Sequence, residues 1–145
     1  MKAERDKLKR LQRLEKIRAI AKQTAAGEAA RAETTFAQLS QLATRTGALA
    51  AEYAARTDAT DGGELRQLGR FTAGLQGICA TTQADAKRAQ AIADRRQQEL
   101  AAAEKRRSAV EERASEQARQ LAAKRQYAQM SAQMMGAKRI GTDPA

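Results

Sequence analysis

Apolar residues recur along most of this chain at alternating steps of four and three. In the first third the row reads Ala25, Ala29, Ala32, Phe36, Leu39, Ala43, Thr46, Ala50 and Tyr53. That spacing is the seam of a coiled-coil helix. Upstream, Leu14, Ile17 and Ala21 are also apolar, but Ala21 to Ala25 is a second consecutive step of four. Such a stutter predicts a local relaxation of the supercoil. The pattern predicts a first helix from about Ala3 to Thr57.

A second row starts at Leu65. Every seventh residue reads Leu65, Thr72, Cys79, Ala86, Ala93, Leu100, Arg107, Ala114, Leu121, Ala128 and Met135, and only Arg107 is charged. Its companion row, Leu68, Leu75, Thr82, Ala89, Arg96, Ala103 and Val110, is mostly apolar, then turns polar at Gln117, Lys124 and Ser131. A second, longer helix is predicted from about Glu64 to Lys138, followed by a short disordered tail.

Between the rows lies "DATDGG", residues 58–63. Asp, Thr and paired Gly end helices and favour turns. Asp61 followed by Glu64 has the spacing of a capping box. A loop this short makes its two helices antiparallel neighbours. Two helices in line with a flexible joint is the rival arrangement; the matching stripes favour the hairpin. The expected fold is all-α, a single antiparallel coiled-coil domain over residues 1–145. Folding about the centre of the bend brings Gly47 near Gly74 and Met1 near Gln120, so the second helix overhangs the first by roughly twenty residues. A row turning polar after Val110 fits a helix that gradually loses its partner.

Composition sharpens this picture. Hydrophobic residues make up 42% of the chain, much of that alanine, and aromatics only 3%. A thick globular core is therefore excluded. The net charge is +10, and its distribution is uneven. Residues 1–22 carry nine basic and three acidic side chains, and residues 105–139 repeat that count. The middle is close to neutral. A hairpin gathers both basic segments at one end. Such a charge calls for an acidic partner or is simply a solvated face.

Apolar surface gathers near the bend. Leu42 and Leu49 flank the first seam, Phe71 and Ile78 the second, with Leu65, Leu68 and Leu75 beside them. These residues either thicken a leucine-poor core or meet a partner. In the overhang, Tyr127, Met130 and Met134 share a face and Met135 lies on the seam, which suits either a binding helix or a frayed tail.

Catalytic chemistry has no foothold in the sequence. There is no His, and Cys79 is the only cysteine, most simply a small seam residue. Phosphate-cradling loops and paired carboxylates are missing, and Ser108, Ser115 and Ser131 have no His to activate them. No enzyme activity, cofactor or metal is expected. The basic ends lack the aromatic interleaving of single-strand binders, so nucleic acid is not the expected partner. The start is basic without an apolar core, unlike a secretory signal, and no stretch of about 18 apolar residues is present to span a membrane. The expectation is a cytoplasmic protein.

Three stretches resemble the FliJ family of flagellar export proteins, stalk-like components of type III secretion. They are "GALAAEY" ending at Tyr53, "LGRFTAGLQGI" with Phe71 and Leu75, and "EQARQLAAKRQYAQMSAQMM" followed by a basic pair. Length, central bend, basic start and longer second helix also fit across nearly the whole chain. This sequence is richer in alanine than some members, and Leu49 stands where an aromatic is often found.

The resemblance implies an antiparallel coiled coil whose two termini enter the ring of the flagellar export ATPase hexamer. The bend half reaches an export gate protein at the membrane, and the chain escorts export chaperones. Carried onto this sequence, Leu49, Tyr53, Phe71, Leu75 and Ile78 are the expected gate contacts. Lys9, Arg10, Arg13, Arg119, Lys124, Arg125, Tyr127, Met130 and Met134 are the expected ATPase contacts. The protein is then a non-catalytic adaptor, monomeric alone, cytoplasmic and peripheral at the inner face of the cell membrane. A self-associating structural coiled coil, or a basic binder of nucleic acid or anionic membrane, are the alternatives.

Overall fold

A computed structural model describes residues 1–56 and 58–141, with side chains up to Lys138. Two helices account for nearly all of it: α1, Lys2–Ala54, and α2, Gly62–Gly141. They pack against each other as a helical hairpin with the second helix longer. Among the described residues there is no strand.

The bend differs in detail from its sequence pattern. Helix α1 stops at Ala54; Thr57, where the pattern ended it, lies outside the described residues. Its last turn tightens, with Arg56 N donating to Tyr53 O at 3.3 Å. The two glycines do not terminate α1. Gly62 and Gly63 form the first turn of α2, and no described residue has a positive φ. The helix starts there because Asp61 caps it: Glu64 N donates to Asp61 Oδ1 at 2.8 Å. A Cβ on Gly63 would stand 3.2 Å from that carboxylate oxygen, so a glycine there leaves room for the cap. Glu64 completes the box one residue further back than usual, accepting from Thr60 N and Thr60 Oγ1 at 2.9 and 2.7 Å. At the far end, α2 runs to Gly141, three residues past Lys138. The tail expected beyond it, residues 142–145, lies outside the described residues.

The chain divides into two compact units, one formed by residues 1–23 with 102–145, the other by residues 24–101. The central unit holds the bend. Its α1 row is buried or half-buried throughout, from Ala25 to Tyr53, as the heptad required. Against it lie Leu68, Thr72, Leu75, Cys79, Thr82, Ala86, Ala89 and Ala93, each buried or half-buried. Leu65 drops out of the row at 61% exposed. Thr46 and Thr82 are buried, and each donates its hydroxyl to its own helix at 2.8 Å, to Leu42 O and Ile78 O. With the hydroxyl satisfied, threonine packs as a small apolar residue.

The register also shifts from the expectation. Facing residues have numbers totalling about 125, as shown by Cys79 Sγ near Ala43 O, Arg96 on Glu28 and Tyr53 on Phe71. Gly47 therefore faces Cys79, and a Cβ placed on Gly74 would meet nothing within 4 Å. Folding about the bend's centre failed because the bend is lopsided. Ala54 lies level with about residue 71, whereas α2 already begins at Gly62.

In the terminal unit, the half-buried α1 positions include Glu4, Leu8, Leu11, Glu15, Arg18 and Lys22, a regular heptad. Ile17 and Ile20 are more than half exposed, and Ala21 is exposed, so the expected stutter is absent. Long charged side chains lay their stems along the seam and keep their heads at its edge. Opposite, Val110, Ala114, Gln117 and Leu121 are all buried. The seam therefore does not fade after Val110. Gln117 stays in it by donating from Nε2 to Glu4 O at 3.4 Å. From Ala122 to Lys138 every residue of α2 is exposed, which is the anticipated overhang.

Leu75 is the largest side chain among the buried residues of the central unit, 8% exposed. Leu75→Ala should lower unfolding free energy by about 2–3 kcal/mol. Half-exposed Leu42→Ala should cost under about 1 kcal/mol. Urea denaturation followed by circular dichroism checks both.

Candidate partner-binding surfaces

Antiparallel packing gives each unit its own chemistry. The terminal unit holds eighteen basic and eight acidic residues, the central unit nine of each. The whole net charge of +10 thus resides in the unit built from both end segments.

On the terminal unit, Lys9, Arg10 and Arg13 line one shallow groove with Asp6, whose carbonyl accepts from Arg10 Nε at 3.4 Å. A second groove, lined by Arg5, Leu8, Lys9, Leu121 and Arg125, joins Lys9 to the other helix. A third, of about 730 Å³, sets Lys7 and Leu11 of α1 against Arg113, Gln117 and Arg119 of α2. Two of the expected contacts are not simple free cations. Arg119 pairs with Glu116 at 2.8 Å, and Lys124 reaches across to Glu4. Lys124 draws the Glu4 carboxyl below the usual carboxylate range. Tyr127, Met130 and Met134 lie on the overhang, Tyr127 at 75% exposed. Sequence reasoning passed over Arg5, Lys7 and Arg113. They look like ordinary solvated charges until the second helix forms grooves beside them.

The central unit has two unlike sides. Leu42, Leu49, Phe71, Ile78 and Ile92 each immediately precede a seam residue at the same heptad phase. In an antiparallel pair those positions of the two helices lie on the same side. All five are substantially exposed, Phe71 at 48%. The opposite side is lined by Ser40, Gly47, Ala54, Gln76 and Gln83 along two shallow grooves. Of the expected gate residues, Leu49, Phe71 and Ile78 lie on the apolar side. Tyr53 is half-buried, its ring edge-on to Phe71 at 4.7 Å and 71°, with the Arg56 guanidinium 4.0 Å over its face. Leu75 belongs to the seam and supports the strip from beneath. Ile92 was not singled out; its signal was its spacing of two heptads from Ile78.

Two charged clusters were also missed. In the terminal unit Glu104 accepts from Arg107 at 3.1 Å and pairs with Lys22 of α1 at 2.7 Å, while Arg107 also donates to Glu111 at 2.9 Å. In the central unit Arg96 bridges Glu28 of α1 at 3.2 Å and Glu99 at 2.9 Å. Among the described residues no group of His, Cys, Asp and Glu could hold a metal, and no helix is long and apolar enough to cross a membrane. No family model, curated protein or solved structure matches this chain.

Hydrogen bonds from Arg107 first, and from Lys22, hold the Glu104 carboxyl down to about 2. A carboxyl with a depressed folded pKa stabilises above its unfolded value, here 4.5, and loses that contribution as pH falls toward 2. Helical circular dichroism should therefore decline with acid across that window. Glu104→Gln should lower stability at neutral pH and flatten the decline.

Proposed function

We propose that this chain is a non-catalytic stalk and adaptor of a flagellar type III export apparatus. The carrying observation is the separation of surfaces: both basic end segments form one unit, and the exposed apolar strip lies on the unit that holds the bend. In this reading the terminal unit binds the export ATPase hexamer, and the grooves around Lys9, Arg10, Arg13 and Arg125 take acidic side chains of its ring. Exposed Tyr127, Met130 and Met134 add apolar area that those grooves lack. The strip of Leu49, Phe71 and Ile78 binds the export gate protein, with Tyr53 fixing the Phe71 ring. Export chaperones are the remaining partners. The protein then works in the cytoplasm, peripheral to the inner face of the cell membrane, and links nucleotide hydrolysis at the ring to the gate.

A second reading, a self-associating coiled coil, is favoured by the same strip. Exposed Leu42, Leu49, Phe71 and Ile78 could cover one another in two copies. Sedimentation of the isolated protein separates the two readings, since only self-association gives a dimer that Phe71→Asp dissolves.

Deleting residues 123–145 keeps buried Leu121 in the seam and should abolish ATPase binding while preserving helical content. Phe71→Asp should weaken gate binding about tenfold or more and leave ATPase binding intact. Unchanged ATPase binding after the deletion would overturn the assignment of the terminal unit.

A further inference from the structure

Cations in the terminal unit are not alike. Lys22, Arg107, Arg119 and Lys124 each hold a carboxylate. On α1, Lys2, Lys9, Arg10, Arg13 and Lys16 are all exposed, and among the described residues none of them is in an ion pair. At 3.6 residues per turn these five share one side of α1, opposite its half-buried seam positions Leu8, Leu11, Glu15 and Lys22. Asp6 is the one acidic residue on that side of residues 1–22, and it is its backbone carbonyl that accepts from Arg10. Lys9 with Arg13, Arg10 with Arg13, and Arg13 with Lys16 are like charges three or four places apart, a spacing that weakens a helix. The seam of the hairpin makes no use of them.

Two isoleucines share this side. Ile17 and Ile20 are 61% and 63% exposed, one turn beyond Arg13 and Lys16. The seam next to them is filled by Arg18 and Lys22 instead. The shallow groove of Lys9, Arg10 and Arg13 thus runs into an aliphatic end. From Lys2 to Ile20 the whole side extends about 27 Å along one helix.

We propose that this side of α1 docks on an anionic lipid surface, with the helix lying in the plane of the headgroups. The five cations meet phosphate and carboxylate groups of the lipids, which relieves their mutual repulsion, and Ile17 and Ile20 enter the boundary between headgroups and acyl chains. Long Lys and Arg stems keep the charges at headgroup level while the isoleucines go deeper. A plane touches charges spread along a straight, convex helix side all at once, whereas a protein pocket holds only a few of them. Nucleic acid fits less well. Residues 1–35 contain no aromatic side chain to stack on bases, and isoleucine adds nothing to a phosphate contact. A bilayer and an ATPase ring would use Lys9, Arg10 and Arg13 in turn, not together. The inference does not rest on the export reading, because vesicles report it with no other protein present.

The test uses the full chain with vesicles of phosphatidylcholine alone, or of phosphatidylcholine with about one-third phosphatidylserine, and measures bound protein by co-sedimentation. Binding is expected on the mixed vesicles only. It should fall about tenfold or more with Lys9→Gln plus Arg13→Gln, and about fivefold with Ile17→Ser plus Ile20→Ser. A charge-matched pair on α2, Lys105→Gln plus Arg119→Gln, should cost less than about threefold. All six positions are exposed, so helical circular dichroism should stay the same in every variant. No binding to the mixed vesicles overturns the proposal, as does an equal loss in the α2 pair. Unchanged binding after the isoleucine substitutions overturns it too. So does a short DNA duplex that displaces the vesicles and binds the isoleucine variant as well as the native chain, which would assign this side to nucleic acid.

Discussion

Everything in this hairpin depends on a seam built of alanine and threonine. Small side chains let two helices approach closely, but they remove little apolar area from water, so each layer contributes weakly. None of the larger side chains is fully buried. A seam of this kind holds helices together without saying much about which layer belongs opposite which. Polar contacts supply that information: Arg96 on Glu28, Lys22 on Glu104 and Gln117 on Glu4 each join one place on α1 to one place on α2. Exposed ion pairs add little stability individually. Their value here lies in marking the register, since each joins one position on α1 to one on α2.

A thin seam also frees the remaining faces for other work. Because the core needs only one narrow stripe per helix, Leu49, Phe71 and Ile78 are left outside it, on one side of the central unit. Lys9, Arg10 and Arg13 are likewise left to line grooves on the terminal unit. The antiparallel turn decides the grouping. Residues 1–23 and 102–145 are far apart in sequence but form one compact unit, and that unit holds the entire net charge. On the proposed reading as a stalk, this division would offer one unit to an acidic partner and the other to an apolar one. Covering the apolar strip with a thicker core would remove it.

Both helices, the hairpin and the second seam from Leu68 to Val110 were legible in the sequence, because heptad phase is a local property that any seven residues declare. So were the two kinds of surface. Leu42, Leu49, Phe71 and Ile78 stand one place before seam positions, and more apolar residues than one stripe can use must lie outside it. The upstream seam of α1 was misread for a physical reason. Apolarity pointed to Leu14, Ile17 and Ala21; Leu14 is half-buried, but Ile17 and Ala21 are exposed, and Glu15, Arg18 and Lys22 take half-buried places. Long aliphatic stems can pack at a seam edge nearly as well as apolar side chains do.

Sequence by itself determined which residues are helical, the buried stripe of α1 from Ala25 to Tyr53 and most of that of α2, and where the chain turns back. Those follow from side-chain periodicity and from an Asp61–Glu64 cap made between near neighbours. Only the tertiary structure decided the register, the pairing of Gly47 with Cys79 rather than Gly74, and the grouping of Arg5, Lys7 and Arg113 into grooves. Register is a property of two helices together. With alanine in most layers, no local stretch records it, and it emerged only when the lopsided bend and the cross-helix charge pairs were satisfied at once.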